Sequence, residues 1–266
     1  MKRGIFGFVI LTVVLCLAQC APNDGLSKQA LQRDFARLKA YYIPVEYFVI
    51  TERPGLANRA YDRFRPVLDS FLEKYASRMK SDSLWKVHFV RIHSLADAAQ
   101  RDLRDKRLEV AGVKSLNIIE GLLNELLNHE NIPPLLPDQY KLLFNNAQSF
   151  HAIFTTPVPD DKKPQVLNSL GNTFALLRQQ IQAIDTVAID ANLYLLTPKD
   201  IENLQTTNRE IQQILRHMEK ALDDRDWEAL QSLSEDLKDQ LLYSYLIFGR
   251  IEDLLPNRTP ATPEDK

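Results

Sequence analysis

Histidine and carboxylate side chains are the first candidates for chemistry in this sequence, because together they bind metal ions and transfer protons. Two of the five histidines have a carboxylate at i,i+4 spacing, which places both side chains on one helix face: His93 with Asp97, and Glu125 with His129. Each pair supplies two ligands, whereas protein metal sites usually need three or more. We therefore predict surface ion pairs at these positions, with no metal and no other cofactor.

Three other catalytic or cofactor-binding motifs are absent from the sequence. His129-Glu130 is not followed by a second histidine one turn later, as a zinc protease motif requires. The chain has no Gly-x-Ser-x-Gly turn for a serine nucleophile and no Cys-x-x-Cys-His haem motif. His88 and His151 adjoin apolar stripes, where we expect each to be partly buried with one hydrogen-bond partner rather than to act as a general base. We predict no catalytic residues.

The N-terminus has the organisation of an export signal. Lys2 and Arg3 precede an apolar run at 5–17, which leads through Ala18 to Cys20. The run is shorter than the roughly 20 apolar residues that a membrane-spanning helix needs. We therefore predict that residues 1–19 are a signal peptide that is cleaved off.

The residues Leu17-Ala18-Gln19-Cys20 at the end of this leader resemble the lipobox of bacterial lipoproteins. Gln19 stands where that family usually has Gly, Ala or Ser. The resemblance implies that Cys20 receives a diacylglyceryl thioether and becomes the first residue of the mature protein, and that residues 20–27 form a lipidated tether. Two or more acyl chains give stable anchoring. The expected location is the bacterial cell envelope, anchored to membrane lipid and facing the periplasm or the exterior. The alternatives are an ordinary secretory leader or an uncleaved anchor.

Composition limits the partners and the fold. Removal of residues 1–19 takes away two basic and no acidic residues, so the formal net charge changes from −2 to −4. A weakly acidic chain with interspersed charges does not indicate nucleic-acid binding. Cys16 and Cys20 are the two cysteines, so the mature chain would have no disulfide in its core. The few, scattered glycines favour helices over tight β-hairpins.

Apolar spacing predicts three long helices in a C-terminal bundle at 165–255. Thr197 and Asp226 are suitable N-caps for the second and third helices, and we expect the third to run until Pro256 stops it. Asn208 interrupts the apolar stripe of the second helix, where a buried Asn commonly fixes the register against another Asn or a backbone group. The stripe of the first helix is formed by Leu167, Leu170, Phe174, Leu177, Ile181, Ile184 and Ala188.

An N-terminal helical half is predicted at 28–155, with helices kinked or ended at Pro44 and Pro66. A proline-rich linker at 156–164 follows, which either divides two domains or merely connects two helices. A disordered tail is expected at 256–266 because it is rich in Pro, Thr and charge. The predicted fold is all-α: an antiparallel bundle of about eight long helices in two packed halves. The apolar stripes of the N-terminal half include Leu31, Phe35, Leu38, Tyr42, Val45 and Val49; Trp85, Phe89, Ile92, Ala96, Ala99 and Leu103; and Val113, Leu116, Ile119, Leu123, Leu126 and Leu127.

Two functions fit this sequence, and an enzyme is a third alternative. The first is a non-enzymatic interaction or scaffold lipoprotein whose helical bundle binds another envelope protein. The second is an extracytoplasmic bundle that holds a small ligand between its helices. The anchor, the long apolar stripes and the missing catalytic motifs favour the first.

Overall fold

The computed structural model describes residues 27–249 and 251–254, and within these ranges the regular structure is helical with no strand. The leader, Cys20, nearly all of the tether and the tail at 256–266 lie outside the described residues. The all-α prediction of about eight long helices is confirmed. We number the long helices α1 (Lys28–Ile50), α2 (Pro54–Lys74), α3 (Ser83–Arg104), α4 (Asn117–His129), α5 (Leu136–Thr155), α6 (Lys163–Asp185), α7 (Pro198–Asp223) and α8 (Trp227–Ile247).

Several helix starts have the side-chain caps that the sequence indicates. Thr197 and Asp200 form a reciprocal capping box at the start of α7. The Asp226 carboxylate accepts a 2.9 Å hydrogen bond from the backbone N–H of Ala229 at the start of α8. Both caps satisfy backbone donors that the first helical turn leaves free, and both predictions are confirmed.

The first hydrophobic core is formed mainly by α1 to α4. Helix α1 packs along α2, and α3 packs on both α2 and α4. Trp85 and Tyr75 are fully buried at its centre, with Phe71 and Phe89 packed beside them. The indole N–H of Trp85 donates a 2.9 Å hydrogen bond to Glu130, so this large side chain is buried without an unsatisfied donor.

The second hydrophobic core is formed by α5 to α8. Helix α8 packs along both α5 and α7, and α6 contacts α5 and α7. The division between the two cores falls between Leu135 and Leu136, so α5 belongs to the second core although the sequence placed it in the N-terminal half. The C-terminal group is therefore a four-helix bundle, and the predicted linker at 156–164 is a connection within it. The reason is that Tyr140, Phe150 and the other buried apolar residues of α5 pack in the second core, against α6 to α8 rather than α4.

The two prolines do not end their helices, contrary to one of the predicted outcomes. Pro44 lies inside α1 and Pro66 inside α2. A proline removes the hydrogen bond to the carbonyl four residues earlier, which for Pro44 is the carbonyl of Ala40. Ala40 and Pro44 both border a hollow of about 270 Å³, which is large enough for water. Packing of α1 on both sides of Pro44 keeps the helix continuous.

Three other details differ from the sequence prediction: the end of α8, the burial of Val113, and the end of α6, which stops at Asp185 and leaves Ala188 of the predicted stripe exposed outside the helix. Helix α8 ends at Ile247, and a separate 3₁₀ turn at Ile251–Leu254 follows. Gly249 lies between them. A Cβ at this position would be 2.5 Å from Cγ2 of Ile43, so a larger residue would require the neighbouring atoms to move.

Val113 was predicted to be buried but is 61 % exposed. It lies in a π-helical segment, Gly112–Leu116, whose wider turn breaks the 3.6-residue spacing.

Among the described residues, no helix combines the length and the apolar composition needed to cross a membrane.

Asn208 accepts a 3.0 Å hydrogen bond from the hydroxyl of Tyr140 on α5. The predicted role of Asn208 in helix pairing is therefore supported, but its partner is a tyrosine rather than an Asn or a backbone group.

Candidate functional site

The candidate site is an open groove of about 910 Å³. One wall is the C-terminal end of α1 and the turn into α2, and the opposite wall is the connection between α3 and α4. The floor is formed by side chains of α1, α4 and α5. The groove therefore lies where the two hydrophobic cores meet, a position at which ligand sites are common.

The π-helical segment forms much of one wall. Gly112 allows it to approach α1 closely, since a Cβ on Gly112 would be 3.0 Å from Cγ1 of Val49. On either side of this contact, Ile50 and Val113 line the groove while 67 % and 61 % of their surfaces are exposed. Short π-helical segments inside α-helices are frequent at functional sites. Here the segment presents an apolar side chain to solvent that the regular helical spacing would have buried.

The floor of the groove is a cluster of buried charges. The ammonium of Lys141 on α5 lies between two carboxylates, Glu46 on α1 and Glu120 on α4, and donates to both. The side chains of these carboxylates are only 8 % and 11 % exposed. Behind them, the ammonium of Lys39 lies 2.5 Å from Oε1 of Glu120 and 2.5 Å from Oδ1 of Asp138. We call these five residues the charge cluster.

Two members of the charge cluster, Lys39 and Glu120, are held in their charged forms by their neighbours. Burial by itself would lower the pKa of Lys39, but the carboxylates of Asp138 and Glu120 outweigh burial and raise that pKa above its usual value. Burial by itself would raise the pKa of Glu120, but the ammonium groups of Lys39 and Lys141 outweigh it and hold that pKa below its usual value. Both groups are therefore ionised at neutral pH.

Two tyrosines border the charge cluster as neutral groups. Burial, together with the nearby carboxylates of Glu120 and Glu46, raises the pKa of Tyr42 well above its usual value. The same causes raise the pKa of Tyr245, whose hydroxyl donates a 2.6 Å hydrogen bond to Oε2 of Glu46. Neither phenol would ionise in the physiological range.

This arrangement suits noncovalent binding. The carboxylates of Glu46 and Glu120 are bound to ammonium groups, so neither is set up as a free general base. Apolar walls over a charged floor can bind a molecule that has both apolar and charged parts. Within residues 27–249 and 251–254, no group of three or more His, Cys, Asp or Glu side chains is placed to hold a metal ion.

The histidine pairs of the sequence analysis lie elsewhere and are partly rearranged. His93 Nδ1 is 3.6 Å from Asp97 Oδ2, so that pair forms at the surface. The predicted pair of Glu125 and His129 does not form. Glu125 instead lies 2.6 Å from Nε2 of His88, and His129 lies 2.7 Å from Asp82 at the start of α3. The reason is that α3 packs against α4 and offers each side chain a partner across the helix interface.

Each of the two apolar-stripe histidines has the hydrogen-bond partner that we expected, although His88 is fully rather than partly buried. His88 is buried and has Glu125 as its hydrogen-bond partner, and Nδ1 of His151 lies 2.9 Å from the hydroxyl of Ser234. Neither lies in the groove. Cys20, the predicted lipid attachment residue, lies outside the described residues.

Sequence reasoning missed the charge cluster. One signal was available on α1: Lys39 and Glu46 are seven residues apart, so they share a face, and each directly follows a core position. The other three residues come from α4 and α5, and each resembles an ordinary surface charge of an amphipathic helix. Only the packing of α1, α4 and α5 brings them together.

Comparison of the chain with protein-family models, with curated proteins and with solved structures gives no match.

Proposed function

We propose that this chain is a lipid-anchored protein of the bacterial cell envelope that binds another envelope protein without catalysing a reaction. The observation that carries the proposal is the groove, with Ile50 and Val113 exposed on its walls. Contiguous exposed apolar surface with polar residues around it is typical of protein interaction sites. The charges on the groove floor are bound to one another, which favours recognition over chemistry.

The lipobox-like sequence at Leu17–Cys20 supports the anchored location, with Cys20 as the lipidated residue. Helix α1 begins at Lys28 after the Ser27 cap. An extended chain spans at most about 3.5 Å per residue, so the tether from Cys20 would keep the start of α1 within roughly 25 Å of the lipid. Glu46 and Ile50 lie near the other end of α1, about 30 Å further along at 1.5 Å per residue. The groove would then be within roughly 55 Å of the membrane surface, which limits the partners it can reach.

The anchoring is tested by mass spectrometry of the mature N-terminus and by membrane fractionation. We expect a chain that begins at an acylated Cys20 and remains with the membrane, and a Cys20→Ser variant that is released from it. An unmodified Cys20, or a mature chain that still begins at Met1, would exclude lipid anchoring through this residue.

The binding role is tested by photocrosslinking in cells with a photoreactive amino acid at position 113. Val87 on α3 is a matched control, since it is also a valine and is 62 % exposed but lies away from the groove. We expect position 113 to capture a reproducible envelope protein that position 87 does not capture. The same capture at both positions, or none at 113, would contradict the proposed role of the groove.

A second candidate is an extracytoplasmic small-ligand-binding bundle. It is favoured by the groove volume of about 910 Å³, which lies within the usual range of about 300–1,000 Å³ for small-molecule sites. Thermal shift measurements with a panel of envelope metabolites separate the two candidates. A shift that is lost in a Val113→Arg variant would favour the small ligand, and a flat response would favour the protein partner.

A further inference from the structure

We infer that the groove recognises a lysine or arginine side chain that is flanked by apolar residues in the bound segment of the partner. The inference deepens the proposed function and rests on it. It depends on three features of the groove: the charge balance of its floor, the burial of that floor and the apolar nature of its walls.

The groove floor has one more negative than positive charge. Glu46, Glu120 and Lys141 line the groove, and they contribute two carboxylates and one ammonium. The remaining members of the charge cluster, Lys39 and Asp138, contribute one charge of each sign and do not line the groove. The charge cluster as a whole therefore has one surplus negative charge, and two of its three carboxylates, Glu46 and Glu120, line the groove.

Burial makes this surplus costly, because a charge removed from water is stable only with a compensating partner. Glu46 is 8 % exposed, and besides Lys141 its hydrogen-bond partner is the neutral hydroxyl of Tyr245. A cation entering the groove would balance the floor. An anion would face two carboxylates, and the single ammonium of Lys141 is already shared between them.

The walls suit the remainder of such a side chain. Val49, Ile50 and Val113 line the groove together with Val110 and Leu116. Lysine and arginine have apolar stems that pack on such surfaces while the charged end reaches a polar group. Flanking apolar residues of the same segment would cover the exposed surfaces of Ile50 and Val113.

The rim adds no surplus positive charge. Glu52 and Glu109 lie there with Lys106 and Arg107. The guanidinium of Arg107 is bound to two carboxylates outside the groove, 2.6 Å from Asp102 and 2.9 Å from Asp105. The groove as a whole is therefore electrostatically complementary to a cation.

The test is a selection of randomised twelve-residue peptides on the detergent-solubilised full chain. We expect the selected peptides to share a lysine or arginine between apolar residues. A synthetic copy of the best peptide is then compared with copies in which the basic residue is norleucine or glutamate. A charge-assisted contact corresponds to a loss of about tenfold in affinity for norleucine, and the loss should be larger for glutamate. Added salt should weaken the lysine peptide more than the norleucine peptide.

Variants on the exposed wall locate the contact without disturbing the buried charge cluster. Val113→Arg should weaken binding of the basic peptide by about tenfold or more through charge repulsion and obstruction. Val113→Glu should weaken it less, and Val87→Arg should have no effect. Selected peptides without a basic residue, an unchanged affinity for the norleucine peptide, or no selection at all would overturn the inference. Crosslinking at position 113 decides the proposed function separately, because it does not depend on the charge of the partner.

Discussion

The hydroxyl of Tyr245 on α8 donates a 2.6 Å hydrogen bond to the carboxylate of Glu46 on α1. This bond joins the first and the last long helix, and it ends on a carboxylate that also binds Lys141 on α5. The floor of the groove is thus connected to both hydrophobic cores. Changes to the floor should alter both the stability of the fold and the groove.

Removal of the tyrosine hydroxyl should destabilise the protein. In Tyr245→Phe the buried carboxylate of Glu46 loses a donor, which typically costs about 1–3 kcal/mol in the free energy of unfolding. Tyr243→Phe on the same helix is the matched control, since Tyr243 is 45 % exposed. Urea denaturation followed by circular dichroism measures both variants. Equal stability of the two would mean that the bond to Glu46 contributes nothing.

Loss of the Lys141 ammonium should have a larger effect. Lys141→Met leaves Glu46 without its ammonium partner, and removal of one member of a buried ion pair costs about 3–5 kcal/mol. Lys238→Met is a suitable control because Lys238 has a similar exposure but pairs with the exposed Asp239. Exposed pairs contribute about 0–1 kcal/mol. By these figures, chemical denaturation should show that the free energy of unfolding of Lys141→Met is lower than that of Lys238→Met by at least about 2 kcal/mol. A smaller difference would show that Glu46 takes up a proton or another partner at little cost.

Acid should weaken the fold partly through Glu120. Its pKa is lower in the folded protein than its usual value of 4.5, so the unfolded chain binds a proton first as the pH falls. The stabilisation by Glu120 is therefore complete above about pH 4.5 and disappears as the pH falls through the lower folded pKa.

The pH dependence is measured as the free energy of unfolding between neutral pH and about pH 3, for the wild type and for Glu120→Gln. The variant should be less stable at neutral pH, and it should lose less stability on acidification. Parallel curves for the two proteins would contradict an ionised Glu120 in the native state.

A methyl group at position 249 should be poorly tolerated. The Cβ of Gly249→Ala would lie 2.5 Å from Cγ2 and 2.9 Å from Cβ of Ile43, so backbone must move. Overpacking of this kind costs about 1–3 kcal/mol. Gly171→Ala is the control, because nothing lies within 4 Å of a Cβ there and the residue is inside α6. That variant should gain up to about 1 kcal/mol from helix propensity, and thermal melting should separate the two. Stabilisation by both substitutions would argue against the close approach to Ile43.

The sequence was sufficient for much of the helical structure. Local signals such as the Thr197 and Asp226 caps and the stripe Trp85–Leu103 depend on neighbouring residues, and they predict α3, α7 and the start of α8 well. Pro44 shows the limit of local reasoning. Its missing hydrogen bond argues for a break, whereas burial of α1 on both sides keeps the helix intact.

The groove could not be predicted in this way. Its floor brings together Glu46, Glu120 and Lys141, which are far apart in sequence and come from three helices. Each is an ordinary surface charge when its own helix is considered alone. The exposure of Val113 was also hidden, because a π-helical turn cannot be recognised from apolar spacing.

The packing of α1 against the end of α8 has a consequence for the order of folding. Ile43 belongs to the second hydrophobic core and lies against Gly249, while Ile251 returns to the first core. During synthesis α1 leaves the ribosome long before α8, at about 5–20 residues per second. The contacts on the inner side of α1 are therefore complete only after the C-terminal residues have been synthesised. The pairing of α1 with α2 can form as soon as both helices have emerged, whereas the contact of Ile43 with Gly249 forms only when translation is almost finished.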